Sequence, residues 1–177
     1  MPLCTPEELR LGQINLRFLI DGPRGRLPGP YKIWVQNPKL VHAAEPLGQH
    51  FTPGASSLSE REREIAVVVI TSKWHSAYPN NAHEKRGKEV GLPAASVEAI
   101  IAGLPTSFQD AREQAVYEVA MALANVQLVP QGLYDRAVKL LGHASITDMI
   151  VLMGYYTCVS LTMNFYAVPA GSAGLAR

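Results

Sequence analysis

Cysteine is scarce in this 177-residue chain, which holds only Cys4 and Cys158. Two thiols so far apart argue against a disulfide framework and against a cysteine-based zinc site. The motifs GxGxxG, GxxxxGK[ST], HExxH and GxSxG are also missing. Histidines spaced eight residues apart across a proline form no standard metal site. The sequence therefore has no recognisable motif for a nucleotide, a metal or a serine nucleophile.

The chain also lacks an excess of charge of either sign. Its formal net charge is +1, and charged residues make up 18% of the sequence, so nothing indicates nucleic acid or an acidic membrane as a partner. The start MPLCTPEELR lacks the features of a signal peptide. The uncharged run 149–163 is shorter than the ~18–20 residues of a membrane span and predicts a core helix. We therefore expect a cytoplasmic protein without a membrane partner.

Strand patterns are absent too, because no Val/Ile/Thr alternation bounded by turns occurs. The chain is expected to be all-α, with a Gly/Pro-rich N-terminal arm at 1–30, one helical domain at 31–168 and a flexible tail at 169–177. Helical periodicity and caps predict these segments: 38–49, 58–75, 79–91, 94–102, 107–127, 130–141 and 145–166. Ser57 with Glu60 forms an expected capping box, Ser145 with Asp148 opens the last helix, and Gly142 ends the one before it.

Glu64 and two histidines are the first candidates for chemistry. In a helix over 58–75, Glu64 shares a stripe with His75, about three turns away, with Val68 and Thr71 between them. In the next helix, His83 lies on the inward stripe. A buried carboxylate needs a partner, and an antiparallel helix hairpin would bring either Glu64 or His75 towards His83. Which histidine faces a pocket stays open.

The turn between these helices adds three further candidates, each with a structural alternative. Tyr78 either donates a proton or only packs into the turn. Trp74 is a substrate platform or, more simply, a packing residue. Asn80 would polarise a carbonyl group or occupy the first helical turn.

The stretch SEREREIAVVVITSKWHSAYPNNAHEKRGKEVGLPAASVEAI, residues 59–100, resembles the core motif of the carboxymuconolactone decarboxylase family, which includes the alkylhydroperoxidase D-like proteins. The matching positions are Arg63-Glu64, Tyr78, His83 and Gly91-Leu92. The likeness extends over most of residues 31–168. It implies the alkylhydroperoxidase D-like helical fold and a homo-oligomer, a trimer or a hexamer.

The resemblance also implies a chemistry. The peroxidase branch carries two cysteines where this chain has Ser76 and Pro79, so a thiol peroxidase is the less favoured reading. The decarboxylase branch works without cysteines, metals or cofactors on a small activated carboxylic acid or lactone. There His83 would donate a proton, Glu64 would orient it, and His75 or Tyr78 would stabilise the enolate.

An arginine would bind the substrate carboxylate, and Trp74 and Asn80 would also contact the substrate. The candidates for the carboxylate-binding arginine are Arg63, Arg61, Arg24 and Arg26. One departure is that many cysteine-free members carry Glu-Trp where this chain has Pro79-Asn80. The alternative to a lyase is a non-catalytic protein on the same fold that binds an unknown ligand.

Overall fold

The computed structural model of the protein describes residues 29–171, and this part of the chain is entirely helical. The expected all-α class is therefore confirmed. The expected arm at 1–30 lies outside the described residues except for residues 29 and 30, and the expected tail at 169–177 lies outside them except for residues 169–171. The seven helices are α1 (Tyr31–Trp34), α2 (Pro38–His50), α3 (Glu60–Lys73), α4 (Ala77–Glu89), α5 (Ala94–Ile101), α6 (Ala111–Ala124) and α7 (Gln131–Phe165).

Helix α3 forms the centre of the core, because it packs against α4, α5, α6 and α7. Every residue from Ile65 to Ser72 is buried. Such a β-branched run suits a strand by propensity, but its N-terminus carries a complete capping box. The side chain of Ser59 accepts a hydrogen bond from the backbone of Glu62, whose carboxylate accepts one from the backbone of Ser59. The tertiary core and the cap together favour a helix.

The capping box was expected two residues earlier, at Ser57 and Glu60, and that prediction was wrong. The reason is that Ser57 is engaged elsewhere. Its backbone N–H and its hydroxyl both donate to Oδ2 of Asp148, at 2.9 and 2.7 Å. The long-range carboxylate competes for Ser57, so the helix begins after Ser59.

Asp148 is likewise not part of a helix start with Ser145. Its Oδ2 also accepts from Ser56, and Nε2 of His50 lies 2.9 Å from its Oδ1. Asp148 thus ties the end of α2 and the 51–59 loop to α7. The predicted break at Gly142 is confirmed, because its φ of 74° and ψ of 164° interrupt the helical backbone inside α7.

Removal of the Asp148 carboxylate is expected to destabilise the fold by about 2–3 kcal/mol, since it leaves several donors unpaired. Burial by itself raises the pKa of Asp148, but the hydrogen bonds from His50, Ser57 and Ser56 outweigh burial and hold it well below its ordinary value. A depressed folded-state pKa contributes stability above the unfolded pKa of about 4, and this contribution is lost as the pH falls.

Urea unfolding of Asp148→Ala at pH 7 and pH 3 measures both effects. The difference from the parent chain should be largest at pH 7 and shrink at pH 3. Asp135→Ala is the matched control, because Asp135 lies on α7 with an exposed bond to Gln131. Equal losses in the two variants would contradict the role given to Asp148.

A second hydrophobic cluster joins α1, α2 and the end of α7. Its buried members are Tyr31, Trp34, Val41, Val159, Met163 and Val168. Tyr78 packs against it from α4, and a side chain at Gly29 would overlap the Tyr78 ring. Gly29 therefore permits the chain to enter α1 in direct contact with α4.

Two of the predicted helices extended too far. Helix α3 ends at Lys73 rather than at residue 75, because His75 takes a left-handed φ of 48°. Helix α6 spans Ala111–Ala124 rather than 107–127. Asp110 caps its start by accepting from the backbone of Arg112 and Glu113, and Val126 has a φ of 58° beyond its end.

One of the described helices, α7, is long and apolar enough to cross a membrane by length and composition. This is weak evidence, because the core helix of a soluble protein meets the same criteria. Only a third of its apolar window is buried in a single chain.

Candidate functional site

The candidate site lies between α3 and α4, which form an antiparallel hairpin. Oε2 of Glu64 is 2.6 Å from Nδ1 of His83. The side chain of Glu64 is 1% exposed and that of His83 is 18% exposed. On the same helix as His83, Gly87 is buried against Leu92 and Val97, on the side of α4 that packs towards α5. Of the two residues that the sequence offered as neighbours of His83, Glu64 and His75, the structure therefore brings Glu64 into contact with it.

Arg63 holds the other oxygen of the same carboxylate. Its Nε and Nη2 donate to Oε1 of Glu64, at 3.3 and 3.1 Å. Its Nη1 donates to the backbone carbonyl of Phe51 at 2.9 Å, which anchors the guanidinium to the end of α2. Arg63 was expected to bind a substrate carboxylate, and the structure instead places it on the carboxylate of Glu64.

This environment keeps Glu64 ionised. Burial by itself raises the pKa of Glu64, but the hydrogen bond and charge of His83, together with Arg63, bring it below its ordinary value. An ionised carboxylate only accepts hydrogen bonds, so Nδ1 of His83 carries the proton that joins the pair. With a neutral His83 the group of Arg63, Glu64 and His83 has zero net charge, and with a protonated His83 it has +1.

Tyr156 on α7 completes the surroundings of the imidazole. Its ring meets that of His83 edge-on, with the centroids 4.8 Å apart and the planes at 90°. The rings of Tyr156 and Tyr155 are themselves 5.6 Å apart. Sequence reasoning did not assign Tyr156 to the site, because 73 positions separate it from His83 and no local pattern links the two.

The free ring nitrogen is the group that the site offers to a ligand. Nε2 of His83 has no hydrogen-bond partner among residues 29–171, and it is not among their buried unpaired atoms. Glu64 fixes the tautomer through Nδ1, and Tyr156 restrains the ring plane. An imidazole held in this way is suited to pass a proton through Nε2.

The structure does not bring the other predicted residues into hydrogen-bonding or ring contact with this pair, within the described part of the chain. His75 is exposed beyond the end of α3. The indole N–H of Trp74 donates to Thr157 at 3.2 Å. Asn80 accepts from Ser72 at 3.4 Å, and the half-buried Tyr78 packs on the second cluster. Their proposed catalytic and binding roles stay predictions.

The two positions at which the peroxidase branch carries cysteines, Ser76 and Pro79, are both buried in this chain. Ser76 is completely buried and donates to the carbonyl of Ser160 at 3.4 Å, and Pro79 is buried as well. Cys158 is exposed on α7. No group of three or more His, Cys, Asp or Glu side chains positioned to hold a metal occurs between residues 29 and 171.

The remaining arginine candidates are engaged or lie outside the described residues. Arg61 forms a double contact with Glu113 and also donates to the carbonyl of Gly91. Arg86, one turn after His83, pairs with Glu60 and Glu89. Arg24 and Arg26 precede the described part of the chain.

The fold is shared with solved structures of a dehalogenating enzyme. The apo crystal structure of the debrominase Bmp8 superposes with a TM-score of 0.68, at 14% identity, covering 98% of this chain and 92% of that one. The C82A variant of Bmp8 in complex with 2,3,4-tribromopyrrole gives 0.60, at 16% identity, covering 93% and 87%. No family model and no curated protein matches the sequence.

At this level of identity the likeness shows the fold alone. The chain is an all-α protein with the alkylhydroperoxidase D-like helical fold, as the resemblance predicted. Its Glu64–His83 pair bridges two helices inside that fold.

Proposed function

We propose that the protein is a cofactor-independent acid/base catalyst that acts on a small activated carboxylic acid or lactone, with decarboxylation as its reaction type. The observation that carries the proposal is the buried Glu64 carboxylate bound to Nδ1 of His83, while Nε2 has no partner among the described residues. The solved neighbours support a small-molecule catalytic role, since one of them is a debrominase bound to a halogenated pyrrole.

The proposed reaction begins with His83 protonated. The bond between the substrate and its carboxylate breaks, carbon dioxide leaves, and the electron pair moves into the conjugated carbonyl to form a dienolate. Nε2–H of His83 then donates its proton to carbon, and solvent reprotonates the imidazole. The net charge of +1 on the group of Arg63, Glu64 and His83 favours the negative dienolate.

Arg63 is occupied by Glu64, so it acts in this proposal as a positioning residue. Arg61 and Arg86 are also paired with carboxylates. Within the described residues, no arginine on α3 or α4 is therefore left to form a tight salt bridge with the substrate. A carboxylate held without such a bridge loses carbon dioxide more readily, because a strong cation would stabilise it in the ground state.

A panel of butenolide carboxylic acids, headed by carboxymuconolactone, tests the proposal. Carbon dioxide release and the ultraviolet change of the conjugated lactone are measured with the full chain. The double variant Cys4→Ser, Cys158→Ser should retain the parent rate, because no thiol takes part in the proposed steps. Loss of turnover in that double variant would contradict the proposal and would indicate that a thiol takes part in the reaction.

A second candidate is a non-catalytic protein that retains the fold. The observation that favours it is the burial of the pair, because the side chain of Glu64 is 1% exposed and that of His83 is 18% exposed. This candidate predicts that no panel member turns over and that a ligand still shifts the imidazole NMR signals of His83. Turnover that depends on His83 would exclude it.

A further inference from the structure

The hairpin of α3 and α4 is repeated, 51 residues later, by α6 and the first part of α7. The segment 59–62, SERE, begins α3, and the segment 110–113, DARE, begins α6. In each segment the first residue caps the helix, and both helices span 14 residues. The positions of positive φ that follow also correspond, since His75 matches Val126 and Gly91 matches Gly142. The described part of the chain therefore contains two copies of one structural unit.

Only the first copy carries the acid/base pair. The residues of the second copy that correspond to Glu64 and His83 are Ala115 and Tyr134. Ala115 is fully buried, and Tyr134 is 46% exposed. The second copy therefore cannot form a second site of this kind, and it acts on the first copy through the contacts between them.

Two arginine–glutamate bridges join the copies, and the same shift of 51 residues relates them. Nε and Nη2 of Arg61 donate to the carboxylate of Glu113, at 2.5 and 2.9 Å. Nε and Nη2 of Arg112 donate to the carboxylate of Glu62, at 2.7 and 3.4 Å. The side chains of Glu113 and Glu62 are 10% and 4% exposed. Each double contact with a buried carboxylate holds its arginine in one orientation.

The remaining nitrogen of each arginine reaches a different helix. Nη1 of Arg61 donates to the carbonyl of Gly91, just beyond the end of α4. Nη1 of Arg112 donates to the carbonyl of Leu140 at 2.6 Å, shortly before the break in α7. The first contact therefore reaches the helix that carries His83, and the second does not.

Helix α4 has little hydrophobic packing to fix its position. Of its 13 residues, only Pro79 and Gly87 are buried. Arg86 and Glu60 also link α4 to α3, but their side chains are 42% and 41% exposed, and such surface pairs contribute little. The position of α4 therefore depends on its polar contacts with α3.

The contact of Arg61 with Gly91 lies near the pair along the hairpin. Arg61 precedes Glu64 by three residues on α3, and Gly91 follows His83 by eight residues. The approach is close, because a Cβ at Gly91 would lie 3.2 Å from Nη1 of Arg61. This contact therefore ties the end of α4 to α3 one turn from the Glu64 carboxylate.

We propose that Arg61, held by Glu113, is a positioning residue of the candidate site. It ties the end of α4 to the start of α3 and thereby keeps His83 within hydrogen-bonding distance of Glu64. A displacement of about 1 Å at a reacting group lowers a rate by up to about 100-fold. The effect on catalysis rests on the proposed function, whereas the effect on the Glu64–His83 hydrogen bond does not.

Arg61→Gln and Arg112→Gln form a matched pair of variants. Each removes one guanidinium and leaves one buried glutamate without its charge partner, so the two should lose stability to a similar extent in urea unfolding. Glutamine suits a helix about as well as arginine does. Only Arg61→Gln removes a contact with α4.

Proton NMR follows the hydrogen bond of His83 in the full chain. The signal of its Nδ1 proton is assigned by its absence in His83→Ala. In Arg61→Gln this proton should exchange with water about tenfold faster, because the pair opens more often, and in Arg112→Gln it should keep the parent rate. On any substrate found, Arg61→Gln should lower kcat about tenfold and leave KM unchanged.

Glu113→Gln and Glu62→Gln repeat the comparison if either arginine variant does not fold. Glutamine keeps the shape of the side chain, and at position 62 it also completes the capping box of α3. Faster exchange in Glu113→Gln but not in Glu62→Gln would support the proposal, and equal rates in both would overturn it.

Three further results would overturn the proposal. They are an unchanged Nδ1 exchange rate in Arg61→Gln, an equal acceleration in Arg61→Gln and Arg112→Gln, or a rise in KM at constant kcat, which would place Arg61 against the substrate. If the parent chain turns over no member of the panel, the proposed function fails, and the NMR comparison still decides the role of Arg61.

Discussion

His83→Ala is expected to lower turnover by about 10²–10⁴-fold on any substrate found in the panel, because it removes the group that delivers the proton. The fold should persist, since Glu64 keeps its contacts with Arg63 and the imidazole is not part of the main hydrophobic core. Circular dichroism and urea unfolding check the fold, and kcat and KM are measured separately. The loss should fall mainly on kcat, because the proton is transferred in the chemical step.

His75→Ala is the matched control for this result. His75 belongs to the same α3–α4 hairpin region but is exposed beyond the end of α3, without hydrogen-bonding or ring contact to Glu64 within residues 29–171. Its variant should keep the parent kcat. Full activity in His83→Ala, or an equal loss in both variants, would remove His83 from the mechanism.

Glu64→Gln is expected to lower the free energy of unfolding by about 3–5 kcal/mol at pH 7, since it leaves the guanidinium of Arg63 without its charge partner. The side chain of Arg63 is only 12% exposed, so water replaces the lost carboxylate poorly. The variant should also lose activity, because Nδ1 of His83 no longer faces the carboxylate that fixes the tautomer and the orientation of the ring.

The stability difference between Glu64→Gln and the parent chain should depend on pH. The pKa of Glu64 is lower in the folded chain than its ordinary value. Its contribution to stability is therefore full above the unfolded pKa of about 4.3 and declines as the pH falls. Urea unfolding should show the largest difference between Glu64→Gln and the parent at pH 7, and a smaller one near pH 3.

Glu118→Gln is the control for charge removal. Glu118 pairs with Arg136 on the surface, where the two side chains are 31% and 50% exposed. Surface pairs contribute only about 0–1 kcal/mol, so this variant should unfold almost like the parent. A Glu64→Gln variant that is no less stable than Glu118→Gln would contradict the structural role of the buried carboxylate.

The sequence correctly predicted those helix ends that depend only on neighbouring residues. Gly142 breaks its helix because a positive φ suits glycine, and Pro38 begins α2 because proline suits the first helical turn. The errors occurred where a distant group competed for a local one. Asp148 binds Ser57 across 91 positions, and the helix cap moved to Ser59.

In the candidate site, too, the sequence predicted what depends on neighbouring residues and missed what depends on distant ones. The sequence predicted that a buried Glu64 needs a partner, because an unpaired carboxylate is too costly in a core. It left open whether Glu64 or His75 approaches His83, and which of the two histidines faces a pocket. The turn geometry decided this, since the left-handed backbone at His75 ends α3 and leaves that side chain exposed.

The sequence by itself determined the helical class, the scarcity of thiols and the presence of Glu64 and His83 in one hairpin, because propensity and spacing act over a few residues. Only the tertiary structure decided that Arg63 binds Glu64 and that Tyr156 meets His83. These contacts join residues whose approach depends on how whole helices pack, and helix packing has no signature in a short stretch of sequence.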